Sequence, residues 1–136
     1  MEENAILLAT LRALKTDPTQ AVVLYEQLFQ AHLIALVEDP RQPLSSLNFL
    51  TYPSGGGISE LPLFTSPRQG LLAGLCQQTG ATPLSLHGPA LWTRLLDVLG
   101  GSQLQAAVDP GEAHGIRVTR EMALGMVKKY GAALPS

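Results

Sequence analysis

Three histidines, one cysteine and a scatter of hydroxyl and carboxyl side chains are the groups of this chain that could do chemistry. Histidines could serve as bases or metal ligands, yet no two stand at the i, i+4 spacing of a helical metal site, and none has a carboxylate at such spacing. His32 falls where a helical pattern gives way to a strand pattern, the place of a half-buried structural histidine. His87 belongs to Leu86-His87-Gly88-Pro89, a strand end turning into a helix, which suits an active site and an ordinary cap equally. His114 sits in a Gly-Glu-Ala-His-Gly loop and is expected to face solvent. Cys76, on the apolar side of a helical segment, reads as a core thiol; as the single cysteine it excludes an intrachain disulfide and a cysteine zinc cage.

Nucleophile and phosphate signatures fail on spacing. No serine has the Gly-x-Ser-x-Gly setting that lifts a hydroxyl above a sheet. Asp109 and Glu112 flank Pro110-Gly111, which reads as turn chemistry rather than an acid–base pair. Gly55-Gly56-Gly57 lacks the lysine and hydroxyl of a phosphate loop and lies between two strand patterns, so it reads as a hairpin tip. Lys128-Lys129, with Arg117 and Arg120 nearby, is a small basic cluster that solvates the last helix. These readings assign no catalytic residue, no cofactor and no metal ligand.

The elements that would position any site alternate along the chain. Asn4 caps a first helix to Lys15, with Ile6, Leu7, Leu11 and Leu14 at helical spacing. Asp17, Pro18 and Gln20 open a second, whose apolar face is Ala21, Leu24, Tyr25, Leu28 and Phe29. Leu33 to Val37 is a short apolar run expected as a buried strand, ended by Pro40 and Pro43. Leu47–Tyr52 and Ile58–Phe64 follow as strands, giving an antiparallel meander of three, with Pro62 marking an edge or a bulge. Ser66-Pro67-Arg68-Gln69 repeats the cap logic for a helix carrying Leu71, Leu72, Leu75 and Cys76 inward and stopped by Gly80. Then come a strand from Thr82 to Leu86, a helix from Pro89 with Leu91, Trp92, Leu95, Leu96 and Leu99, and strands at Gln103–Val108 and Gly115–Val118. Gly100-Gly101 stops that helix, and Thr119 caps a last one with Met122, Ala123, Met126 and Val127 inward. The order is ααβββαβαββα, a single α+β domain over residues 1–136 with helices packed on one mixed sheet, its core about 17–127 and its end, 132–136, a frayed tail.

Composition narrows the function classes. In 136 residues, 46% are hydrophobic and 15% charged, enough apolar mass for a core without a staple. Nine basic against eleven acidic side chains leave a net charge of -2, and no basic excess to grip many phosphates, so no nucleic-acid partner is expected. The opening Met1-Glu2-Glu3-Asn4 is acidic where a secretory signal is basic, and the apolar stretch behind it is broken by Arg12 and Lys15. A cytoplasmic protein without membrane attachment is the expectation.

From Leu61 onward the order of segments resembles the SseB N-terminal-domain family, the "enhanced serine sensitivity" proteins. The residues that carry it are Leu61-Pro62-Leu63-Phe64-Thr65-Ser66, then Leu86-His87-Gly88-Pro89, Val108-Asp109-Pro110-Gly111 and Gly115-Ile116-Arg117-Val118. The helix from Asp17 and the strand at Leu33 fit the family's opening, so the resemblance spans about Asp17 to Val127. This chain departs from it where family members often have a Leu-Pro-Gly turn in place of Leu86 to Pro89, and an asparagine in place of Asp109. Longer members add a second domain. The resemblance implies a compact α+β domain with no established catalytic residue, so no site carries over, and it favours a bacterial interaction role of adaptor, regulator or toxin-immunity type.

The first expectation is therefore a non-catalytic domain that binds another protein through Asn48, Tyr52, Ser54 and Glu60 around the glycine hairpin. The alternative is a small-ligand binder or small enzyme with a pocket near His87 and Trp92, where a strand end meets a helix start. Self-association stays open; a proline-broken edge at Pro62 argues for a monomer or a helix-mediated dimer.

Overall fold

The computed structural model describes residues 5–14, 16, 17, 19, 21–66, 69–99, 103–112 and 114–131. Helices α1 (Ala5–Leu14) and α2 (Ala21–Gln30) lead into β1 (His32–Val37). A 3₁₀ turn at Leu44–Ser46 precedes β2 (Tyr52–Gly55) and β3 (Ile58–Phe64). α3 (Gly70–Thr79), β4 (Thr82–His87), α4 (Gly88–Val98), β5 (Leu104–Val108), β6 (Ile116–Val118) and α5 (Arg120–Tyr130) complete the chain. This is the α+β order that the sequence predicts, on one mixed sheet. None of the described helices is long and apolar enough to cross a membrane.

The sheet runs β4-β1-β3-β5-β6, with β2 beside the first half of β3. The predicted three-strand meander gives way to a different pairing: β1 lies between β3 and β4, and β3 runs parallel to β5. A parallel pair needs a crossover, here the whole stretch α3-β4-α4. Of the predicted strand Leu47–Tyr52 only Tyr52 falls in β2; Phe49 makes a single bridge to Val37, and Leu47, just after the 3₁₀ turn, is buried in the core.

Period-two alternation sorts the sheet's faces. Leu33, Ala35 and Val37 of β1 join Leu61, Leu63, Ala106, Val108 and Val118 under α1, α2, α4 and α5 in the main core. Trp92 lies wholly inside it, its indole N–H donating to the Leu28 carbonyl at 3.1 Å. On the opposite face, Leu36 and Phe64 pack with Leu72 of α3, and Ile34, Leu50, Leu75 and Cys76 lean on that cluster. Among the described helices α3 is alone on this side. Leu71, expected inward, is instead exposed.

Pro62 is not at an edge. β3 is interior, and its antiparallel partners change along its length: Glu60 opposes Tyr52 of β2, while Leu63 and Phe64 oppose Ala35 and Ile34 of β1. Neither register includes Leu61 or Pro62. Ser59 donates to the Gln103 carbonyl and Leu63 accepts from Asp109, so odd residues of β3 bond toward β5. Pro62 therefore turns its missing N–H to the gap between β2 and β1, where no ladder bond is lost. The edge argument about self-association falls with it.

Several end signals act as expected. Gly80 stops α3 at φ 76°, and the Thr119 hydroxyl accepts from the Met122 amide at 3.2 Å. Gly56 and Gly57 form the hairpin turn with φ 63° and 78°, the positive pair that a type I′ turn demands. Ser66 does not cap α3, which begins at Gly70 behind Gln69; Pro67 and Arg68 lie outside the described residues. Asp17 accepts from the Thr19 amide and hydroxyl ahead of α2. Asn4, Lys15, Pro18, Gln20, the Gly100-Gly101 stop and the tail 132–136 also fall outside the described residues.

Candidate functional site

The face that α3 leaves open belongs to β2, β3, β5 and β6. Its polar centre is Glu60, whose position opposite Tyr52 across the hairpin brings the two side chains together. Arg117 of β6 reaches the same carboxylate, Nε to Oε2 at 2.8 Å. The Glu60 side chain is 9% exposed and that of Arg117 is 60% exposed, so one partner of the pair is sunk and the other keeps its head in water. A buried carboxylate is costly unless paired, and here it has both a guanidinium and a phenol. Burial foremost, then the charge of Glu60 and its hydrogen bond, push the Tyr52 hydroxyl up to about 12, with Arg117 acting the other way.

Beside this row the loop residues Pro110, Gly111, Glu112 and Gly115 line one side of a shallow cleft of about 220 Å³, with Glu60, Ala107 and Arg117 also lining it. The loop is held by Asp109, which is fully buried and sits at φ 51°, a left-handed conformation rare outside glycine. Asp109 accepts from the Thr65 amide at 2.8 Å and the Thr65 hydroxyl at 2.6 Å. Its second oxygen also meets His114 Nε2 at 2.7 Å. His114, expected in solvent, is buried: its ring turns back onto the aspartate five positions earlier.

This node stands at the carboxyl ends of the parallel strands β3 and β5, where sheet proteins place many sites. Its order is wrong for nucleophilic catalysis. A catalytic triad puts the imidazole between hydroxyl and acid; here the acid lies between Thr65 and His114, so the imidazole takes no proton from the hydroxyl. The arrangement clamps the loop to the end of β3.

Of the residues singled out from sequence, Tyr52, Ser54 and Glu60 share the hairpin, with the Ser54 hydroxyl donating to the Ile58 carbonyl at 3.2 Å. Asn48 does not join them; it lines a separate hollow of about 360 Å³ with Glu38, Leu50 and Thr79. His87 and Trp92 part company, His87 exposed and Trp92 in the core, so they make no common pocket wall. His32, expected half-buried, is exposed beside His87. Arg117 was legible only as a basic residue near the last helix; alternation with Ile116 and Val118 places it on the opposite face, but its partner depends on strand order. Among the described residues no group of three or more His, Cys, Asp or Glu is set to hold a metal ion. No protein-family model, curated protein or solved structure matches the chain.

Proposed function

We propose that this chain is a non-catalytic protein-binding domain that meets its partner through the β2–β3 hairpin and the adjoining sheet face. The observation that carries the reading is the Tyr52–Glu60–Arg117 row, a set of fixed polar groups on a sheet surface that no described helix covers. Tyrosine and arginine are the side chains that most often dominate a protein interface, and both are held here by one carboxylate, so little side-chain freedom remains to be lost on binding. The exposed Arg117 head favours a partner that offers a carboxylate beside an apolar patch. The resemblance to the SseB family supports an adaptor, regulator or toxin-immunity role in a bacterial cytoplasm.

The test is affinity capture from the source cell with the wild type and two variants. Ser54→Arg adds bulk at the exposed hairpin, and Lys129→Glu alters the far side of the molecule. A stoichiometric protein retained by wild type and Lys129→Glu but lost by Ser54→Arg supports the reading. Capture of nothing, or equal capture by all three, overturns it.

A further inference from the structure

His32 and His87 are 55 positions apart in sequence, yet strand register sets them directly opposite one another, the first residue of β1 against the last of β4. Directly opposed side chains on antiparallel strands have Cβ atoms about 4.5–5.5 Å apart, within reach of one shared ligand. Their imidazole centroids stand 5.0 Å apart with the ring planes inclined at 45°. A metal–imidazole bond of about 2.0–2.1 Å puts each centroid about 3.2 Å from the ion, so two rings on a tetrahedral centre stand about 5.2 Å apart and on a right-angled one about 4.5 Å. The observed separation falls between these limits.

We infer that His32 and His87 form a two-point surface site for a zinc-, nickel- or copper-class ion, with water filling the remaining positions. Imidazole suits this group of metals. Each ring lends one of its two nitrogens, and both rings are exposed. The backbone beneath them is closely packed. His87 precedes Gly88, whose Cα is pressed so close to the α2–β1 junction that a Cβ there would lie 2.1 Å from the Phe29 carbonyl oxygen and 2.6 Å from that of Ala31. His32 follows Ala31 directly, so one docked corner carries both histidines. The β1–β4 register then continues unbroken to Val37 and Thr82.

One effect opposes the site. The positive end of α4 lies next to His87 and weakens a cation there by roughly two- to fivefold. Holding the second ligand at a fixed distance from the first strengthens binding by roughly 10²–10⁴-fold, so the chelate wins.

The experiment titrates the full untagged chain, carrying Cys76→Ser to remove the thiol, with nickel chloride by calorimetry near neutral pH. One ion per chain is expected, and His32→Gln and His87→Gln should each weaken binding by at least about tenfold. Copper(II) resonance spectra should show two equatorial imidazole nitrogens in the parent and fewer in either variant. Melts without metal identify any variant that fails to fold, and the other then carries the comparison. Absence of nickel binding overturns the site, as does binding that both variants retain within about twofold.

Discussion

Replacing Asp109 tests whether the loop beside the cleft is held by one side chain. Asp109→Ala removes the acceptor of the Thr65 amide, the Thr65 hydroxyl and the His114 ring together, all in the interior. Removing the acceptor of the buried Thr65 N–H costs about 1–3 kcal/mol, and each of the other two contacts contributes about 0.5–1.5 kcal/mol. Alanine at a φ of 51° adds about 1 kcal/mol of strain. Relaxation and water entry trim the sum, so the expected loss is about 4 kcal/mol, a large part of a small domain's whole stability. Asp109→Asn is the discriminating partner. Asparagine tolerates the left-handed region and keeps one oxygen for the Thr65 amide, while the hydroxyl and the imidazole can each present a lone pair to its new amide. Its expected loss is about 1–2 kcal/mol. With a urea slope of about 1.5 kcal/mol/M, the unfolding midpoint should fall by about 2.5 M for alanine and about 1 M for asparagine. If the alanine variant stays within about 0.5 M of wild type, or asparagine proves as damaging as alanine, Asp109 is not the clamp described.

Gly88→Ala forces a methyl group against two backbone carbonyls that cannot swing away, so a loss above about 3 kcal/mol and a melting temperature lower by about 10 °C are expected. A melt within about 2 °C of wild type would show that the corner yields. Thr119→Ala removes the cap from the Met122 amide and should cost about 1 kcal/mol by urea titration, with no measurable change arguing that water replaces the hydroxyl. Tyr52 gives a pH signature. Its folded value of about 12 lies above the ordinary 10, so the folded state keeps the phenolic proton longer than the unfolded one. This contribution is intact below pH 10 and is lost as pH rises from 10 toward 12; absorbance of tyrosinate should show one late step that Tyr52→Phe abolishes.

Local signals were legible in the sequence and long-range pairings were not. Gly80 and the Gly56-Gly57 turn act through their own backbone and Thr119 through its own hydroxyl three residues ahead, so local residue type alone predicts them. The apolar stripe from Leu91 to Leu99 likewise follows from helical spacing. Pro62 misled because a missing N–H excludes a ladder bond on one side only, and no pattern within β3 shows that its partners change there. His114 read as solvated because its loop is polar; the buried acceptor that draws it inward lies five residues back in a left-handed turn. The Glu60–Arg117 pair and the His32–His87 pair depend on which strands are neighbours, and alternation fixes faces without fixing neighbours.

The change of partner at Pro62 gives the sheet something like a perforated line. Parting Tyr52–Gly55 from Ile58–Glu60 would free a ribbon while Leu63 and Phe64 stay stitched to Ala35 and Ile34. Proline has no amide to offer on that side, so the two pairings are not coupled by a ladder bond at the junction, and β5 alone runs past both. A pull on the hairpin would therefore load the Tyr52–Glu60 side of β3 first, while Leu63 and Phe64 keep their own hold on β1.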